Sequence, residues 1–159
     1  MKQRVPPPNP EYLKFLSPFE NGIKELALAT RALVFVEAPD STELIYDAYN
    51  AVATGYSFTG RPSDAFIHIA VYAHWVNLGF NRGSELEDPQ GMLQGSGRSI
   101  RHIRIAEARD LEKPTVRAFV KAAVARAVHP DPHVGKRPTT KSVVRAIYPK
   151  KRRPLIPPR

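Results

Sequence analysis

The sequence predicts an α+β domain: a compact antiparallel sheet of about four to five strands packed against two long helices, followed by a basic, proline-rich C-terminal tail. Two observations lead there. Residues 66–72 (FIHIAVY) and 75–80 (WVNLGF) are rich in β-formers, and only Ala73 and His74 separate them, which is the spacing of a tight hairpin. Two other stretches, beginning near Ser17 and at Pro114, repeat apolar residues at helical spacing. A chain of 159 residues fits one domain of this kind.

The hairpin fixes the expected centre of the sheet. A two-residue connection sets Tyr72 opposite Trp75, Ala70 opposite Asn77 and His68 opposite Gly79. Side chains alternate across a strand. One face then carries Ile67, Ile69, Val71, Val76, Leu78 and Phe80, all apolar, and needs a cover of helices. The other face is mixed and carries His68, Tyr72, Trp75 and Asn77. Residues 100–105 (IRHIRI) read as a third strand, which adds His102 and Arg104 to the mixed face. A slip of one residue would reverse every assignment.

Taken in order, residues 1–16 form a proline-rich arm, with prolines at positions 6, 7, 8 and 10, and are expected to be extended or disordered. Ser17-Pro18-Phe19-Glu20 has the pattern of a helix start, with Ser17 as N-cap, Pro18 in the first turn and Glu20 completing a capping box. That helix is expected to run to about Glu37, before Ala38-Pro39. Asp40-Ser41-Thr42-Glu43 repeats the capping pattern and predicts a short helical turn or helix over residues 44–49. Residues 50–59 read as a strand, and residues 60–64 (GRPSD) as a turn. A long loop spans residues 81–98, a length usually functional or packed as a unit. The second long helix opens at Pro114 and stops before His129-Pro130. The tail, residues 129–159, includes a β-branched stretch at 139–147 that fits an added edge strand.

Composition limits the chemistry. With no cysteine, disulfides, zinc–thiolate sites and cysteine nucleophiles are excluded. No apolar run is long enough to span a membrane, and the first residues lack the apolar core of a secretory signal, so a cytoplasmic protein is expected. Charge is uneven: residues 1–113 hold 12 Lys/Arg and 14 Asp/Glu, whereas residues 114–159 hold 12 Lys/Arg and the single acid Asp131. A basic tail of this kind suits nucleic acid, through phosphate contacts by Lys136, Arg137, Lys141, Arg145, Lys150, Lys151, Arg152 and Arg153. No base-reading motif accompanies it. Nor is there a His-Glu-x-x-His pattern or a nucleophile elbow, so a non-enzymatic protein is expected.

Several motifs occur together: residues 43–50 (ELIYDAYN), 61–64 (RPSD), 75–80 (WVNLGF), Leu86 with Asp88-Pro89, residues 93–97 (LQGSG) and residues 101–103 (RHI). Their order and spacing resemble the YdhG-like domain family, a family of unknown function, over residues 17–128. The resemblance implies a compact α+β domain with an antiparallel sheet and packed helices. Some relatives are described as frataxin-like iron chaperones, so iron is the cofactor or cargo the resemblance suggests. Iron binding of that type uses an acidic ridge. The nearest acidic cluster here is Glu85, Glu87 and Asp88, in the long loop.

Three candidate sites follow from the residues. The mixed face offers His68, Asn77, His102 and Arg104, with Tyr46 and Asp47 near its rim, for a small ligand or, through His68 and His102, for a transition metal. The glycine-rich run 91–98, with Arg98 and Arg101, offers backbone amides and charge to an anion. Glu85, Glu87 and Asp88 offer oxygen ligands to a hard cation. Each has a plain structural alternative: satisfied histidines, a tight loop entering a strand, and a solvated acidic loop.

Overall fold

Period-two alternation builds the centre of the molecule, and it does so in the register expected from the hairpin. The structure, a computed structural model, describes residues 5–131 and 142–149. Among these residues are three α-helices, α1 (Pro10–Leu16), α2 (Asn21–Glu37) and α3 (Pro114–Arg126). Six strands, β1 (Thr42–Asp47), β2 (Val52–Ser57), β3 (Ile67–Val71), β4 (Val76–Phe80), β5 (Arg101–Ile105) and β6 (Ser142–Ile147), form one sheet in the order β5-β4-β3-β2-β1-β6. His68 pairs with Gly79 and Ala70 with Asn77, while β5 sets His102 beside Gly79 and Arg104 beside Asn77. Ile67, Ile69, Val71, Val76, Leu78 and Ile105 are fully buried on the opposite face. Helices α2 and α3 contact one another, and α2 packs on β3 and β4.

The expectation of four to five antiparallel strands and two long helices is corrected on three counts. The sheet has six strands and is mixed, because β6 runs parallel to β1. Residues 42–47 form a strand, not a helical turn: Ser41 Oγ donates back to Ala38 O at 2.8 Å and caps nothing ahead of it. With a neighbour on each side, β1 buries Leu44 and Ile45 on opposite faces, as a central strand does. The third correction is the helix α1, where an extended arm was expected. Asn9 Oδ1 accepts from Glu11 N at 2.9 Å, and Pro10 occupies the first helical position, where no backbone N–H is needed. Tyr12, Phe15 and Leu16 enter the core. Ser17 then closes this helix, its hydroxyl donating to Lys14 O at 2.7 Å, and α2 begins only at Asn21.

A buried ion pair joins these elements. Arg31 on α2 and Glu43 on β1 are almost wholly inaccessible. Arg31 Nε and Nη2 donate to the two Glu43 oxygens at 2.8 and 3.2 Å, and Nη1 donates to Pro6 O at 2.7 Å. Tyr56 O–H and Ser142 O–H donate to the same carboxylate at 2.8 and 2.9 Å. The carboxylate therefore has four donors. Burial, and then the charge of Glu43, pushes the Tyr12 and Tyr56 phenols well above their ordinary range, so both keep their protons. Asn9 Nδ2 also donates to Ser142 O at 3.3 Å.

A buried pair with one partner removed leaves an uncompensated charge, a loss of roughly 3–5 kcal/mol. Arg31→Met is expected to lower stability by about that amount in urea unfolding. The double variant Arg31→Met/Glu43→Leu is expected to regain a substantial part, because it removes the stranded carboxylate. A double variant less stable than the single one would refute this coupling.

Candidate functional site: the mixed sheet face and the cavity at its end

The sheet brings four of the expected site residues to one face. His68, Gly79 and His102 form one row across β3, β4 and β5, and Ala70, Asn77 and Arg104 form the next. Tyr46 continues the second row through Ala53. Asp47 lies one residue on and faces the core side.

Two of the polar groups of this face, His68 and Arg104, are already engaged. His68 Nδ1 lies 3.0 Å from Asn81 Oδ1, and its ring rests on Gly79, where an added Cβ would fall 1.9 Å from Nε2. Glycine is required there by the ring, not by the backbone angle. Burial lowers the His68 pKa, against the raising effect of the Asn81 bond, and burial followed by the Arg104 charge lowers that of His102. Arg104 stacks on Trp75, its guanidinium carbon 4.0 Å from the ring centroid, and Tyr72 stacks on Trp75 at 5.1 Å. Trp75 Nε1 and Asn77 Oδ1 are buried and make no hydrogen bond among the described residues. Neither is open to solvent, so neither offers a ligand a hydrogen bond as the face stands.

The loop residues are also occupied. Glu85 is held by Arg82 in a two-pronged ion pair, with Nη2 to Oε1 at 2.9 Å. Asp88 accepts from the backbone N–H groups of Met92 and Leu93 at 2.8 and 2.9 Å. Glu87 is exposed. Among the described residues, no three carboxylates or imidazoles converge as a metal site would need. The glycine-rich run folds onto β5: Gln94 pairs with His102, and Arg101 Nη1 donates to the carbonyls of Gly97 and Ile100 at 2.6 and 2.8 Å. Arg98 is exposed beside it. Of the expected nucleic-acid contacts, Arg145 is exposed on β6, while Lys136, Arg137, Lys141, Lys150, Lys151, Arg152 and Arg153 lie outside the described residues. Among the described residues, no helix is long and apolar enough to cross a membrane.

A different feature emerges where β3 begins and β4 ends. A cavity of about 430 Å³ lies among Phe66, Phe80, Leu86, Ile100, Ala123 and Arg126. Local geometry holds each wall. On one side, Asp64 accepts from Thr59 Oγ1 at 2.6 Å and Arg61 Nε at 3.0 Å, which fixes the short helical turn Pro62–Asp64. Asn81 N donates to Phe66 O, and Ser84 N to Ser99 O, so the loop after β4 stays close to the start of β5. Gly83 permits that approach, since a Cβ there would meet Arg101 N at 2.9 Å. Phe58 stacks between Phe66 and His129, at 4.8 and 4.4 Å, and holds the exit of α3 against the hairpin. A second cavity of about 370 Å³ lies between residues 86–89 and α3, and shares Leu86 and Arg126 with the first.

Sequence reasoning missed the cavity. Its lining comes from four separated segments, and Arg126 reads as an ordinary solvent-face arginine. Asn81 lines the cavity and also bonds to His68, so it links the two features. No family model, curated protein or solved structure was found to match the chain.

Because the folded protein holds His68 and His102 below the ordinary value near 6.5, the unfolded chain binds protons more readily there. Stability is therefore fully present above about pH 6.5 and falls as the pH drops through the folded values. The variant His68→Gln/His102→Gln is expected to show a shallower loss over that window in urea unfolding. Equal slopes for the two proteins would contradict it.

Proposed function

We propose that this chain is a non-enzymatic small-ligand-binding protein, and that the ligand occupies the cavity at the end of the sheet. The observation that carries the reading is the cavity itself: about 430 Å³ bounded by Phe66, Phe80, Leu86, Ile100 and Ala123 with a few polar groups at its edge. Clefts of roughly 300–1,000 Å³ with mostly apolar walls and a few placed polar groups are the usual form of a small-molecule site. Ile100 and Val128 line it and are 52% and 47% exposed, which suits a mouth that ligand would cover. The mixed sheet face supports the reading less, because His68 is held by Asn81, Arg104 lies on Trp75, and the free Asn77 oxygen is buried. Of the three loop carboxylates that iron carriage would draw on, Glu85 holds Arg82 and Asp88 caps backbone, which leaves Glu87. Membership of the YdhG-like family rests on the motifs of residues 43–103 and belongs to the same proposal.

A neutral probe tests the site. Titrating 1-octanol into the labelled protein is expected to shift the amide resonances of Asn81, Leu86, Ile100 and Ala127, while those of α1 and β6 stay in place. Burying an aliphatic side chain against a ligand is worth about 1.5–3 kcal/mol, so Ile100→Asp is expected to weaken the probe by roughly tenfold. Shifts scattered over the surface, or affinity indifferent to Ile100→Asp, would count against the cavity.

A further inference from the structure

Arg126 stands where the two cavities meet, and the charges around it are unevenly committed. Asp64, on the wall of the larger cavity, is held by Arg61, and Arg82 is held by Glu85. Arg126 makes no hydrogen bond or ion pair among the described residues, although its charge adds to that of Arg82 in lowering the Glu85 pKa. Among the described residues, the larger cavity is thus a mostly apolar space with one uncommitted cation, Arg126, on its wall. Glu87, exposed and also uncommitted, lines the smaller cavity but not the larger.

From this arrangement we propose that the ligand is an amphipathic monoanion, with its apolar body between Phe66, Phe80 and Ile100 and its carboxylate on the Arg126 guanidinium. The inference rests on the cavity reading above and adds the ligand's chemical class. A planar guanidinium matches a carboxylate with two parallel hydrogen bonds, and such charge-assisted bonds are about twice as strong as neutral ones. The acid group reaches Arg126 from the larger cavity, because Glu87 repels an anion entering from the smaller one. The same carboxylate disfavours a second negative charge extended past Arg126, which argues for a monoanion.

Octanoate and 1-octanol, matched in chain length, separate this inference from the cavity reading. With the full-length protein at low salt, octanoate is expected to bind about tenfold or more tightly than octanol, the difference expected for hydrogen bonds to a charged group. Arg126 is exposed, so Arg126→Gln leaves the fold in place. That variant is expected to erase the octanoate advantage, so that octanoate binds no more tightly than octanol. Equal affinities in the unaltered protein would overturn the role of Arg126 and leave the cavity standing. An octanoate advantage that survives Arg126→Gln would assign the anion to another cation and overturn the inference. Failure of both probes to bind would remove the cavity reading as well.

Discussion

A guanidinium and a carboxylate taken out of water together lose hydration worth several kcal/mol each, and the loss is offset only where their donors and acceptors all find partners. Arg31 and Glu43 meet that condition by recruiting parts of the chain far apart in sequence. Pro6 O caps the guanidinium, Tyr56 donates from β2, and Ser142 donates from β6. The pair thereby ties the N-terminal segment and the C-terminal strand to the same point on the sheet. It also explains why β1 is central. Without Ser142 on one side and Tyr56 on the other, the buried carboxylate would lack half its donors.

The same row of the sheet connects this pair to the cavity. Glu43 lies opposite Tyr56, Tyr56 opposite Ile67, and Ile67 opposite Phe80. Phe80 then packs on Phe119 of α3 at 5.9 Å and forms part of the cavity wall. Phe35 meets the Tyr56 ring edge-on at 5.5 Å and lies under the Arg31 guanidinium. The wall thus extends the interior built around the Arg31–Glu43 pair. The mixed face behaves differently. Its histidine His68 is held by Asn81 and its Arg104 by the Trp75 ring, which leaves those two side chains little to offer a ligand.

How much of this was legible in the sequence depended on how local the deciding contact was. The β3–β4 hairpin was readable because one face is apolar at every second residue, so only one register buries it. The α3 start at Pro114 was readable for the same local reason. The strand β1 was not. Asp40-Ser41-Thr42-Glu43 carries a helix-start pattern, and the contact that overrides it comes from Arg31, twelve residues away. The helix α1 was hidden because prolines at 6, 7 and 8 argue for extended chain, while the signal that matters is Asn9 before Pro10. The edge strand β6 was legible as a β-branched stretch, but its parallel pairing depended on a partner 99 residues earlier. The histidine row was visible in the alternation, but its occupation by Asn81, from beyond the hairpin, was not. The cavity was invisible, since no periodicity links residues 62–66, 80–86, 99–100 and 123–128.

The central claim is that an accessible apolar cavity exists between Phe66, Phe80, Leu86 and Ala123. Xenon enters apolar cavities without needing a charged or hydrogen-bonded anchor. Diffraction from a crystal pressurised with xenon is therefore the most direct measurement. The account predicts a single strong xenon peak within that cavity and none over the His68–His102 row. A filled or collapsed cavity with no xenon, or a peak only on the mixed face, would contradict it.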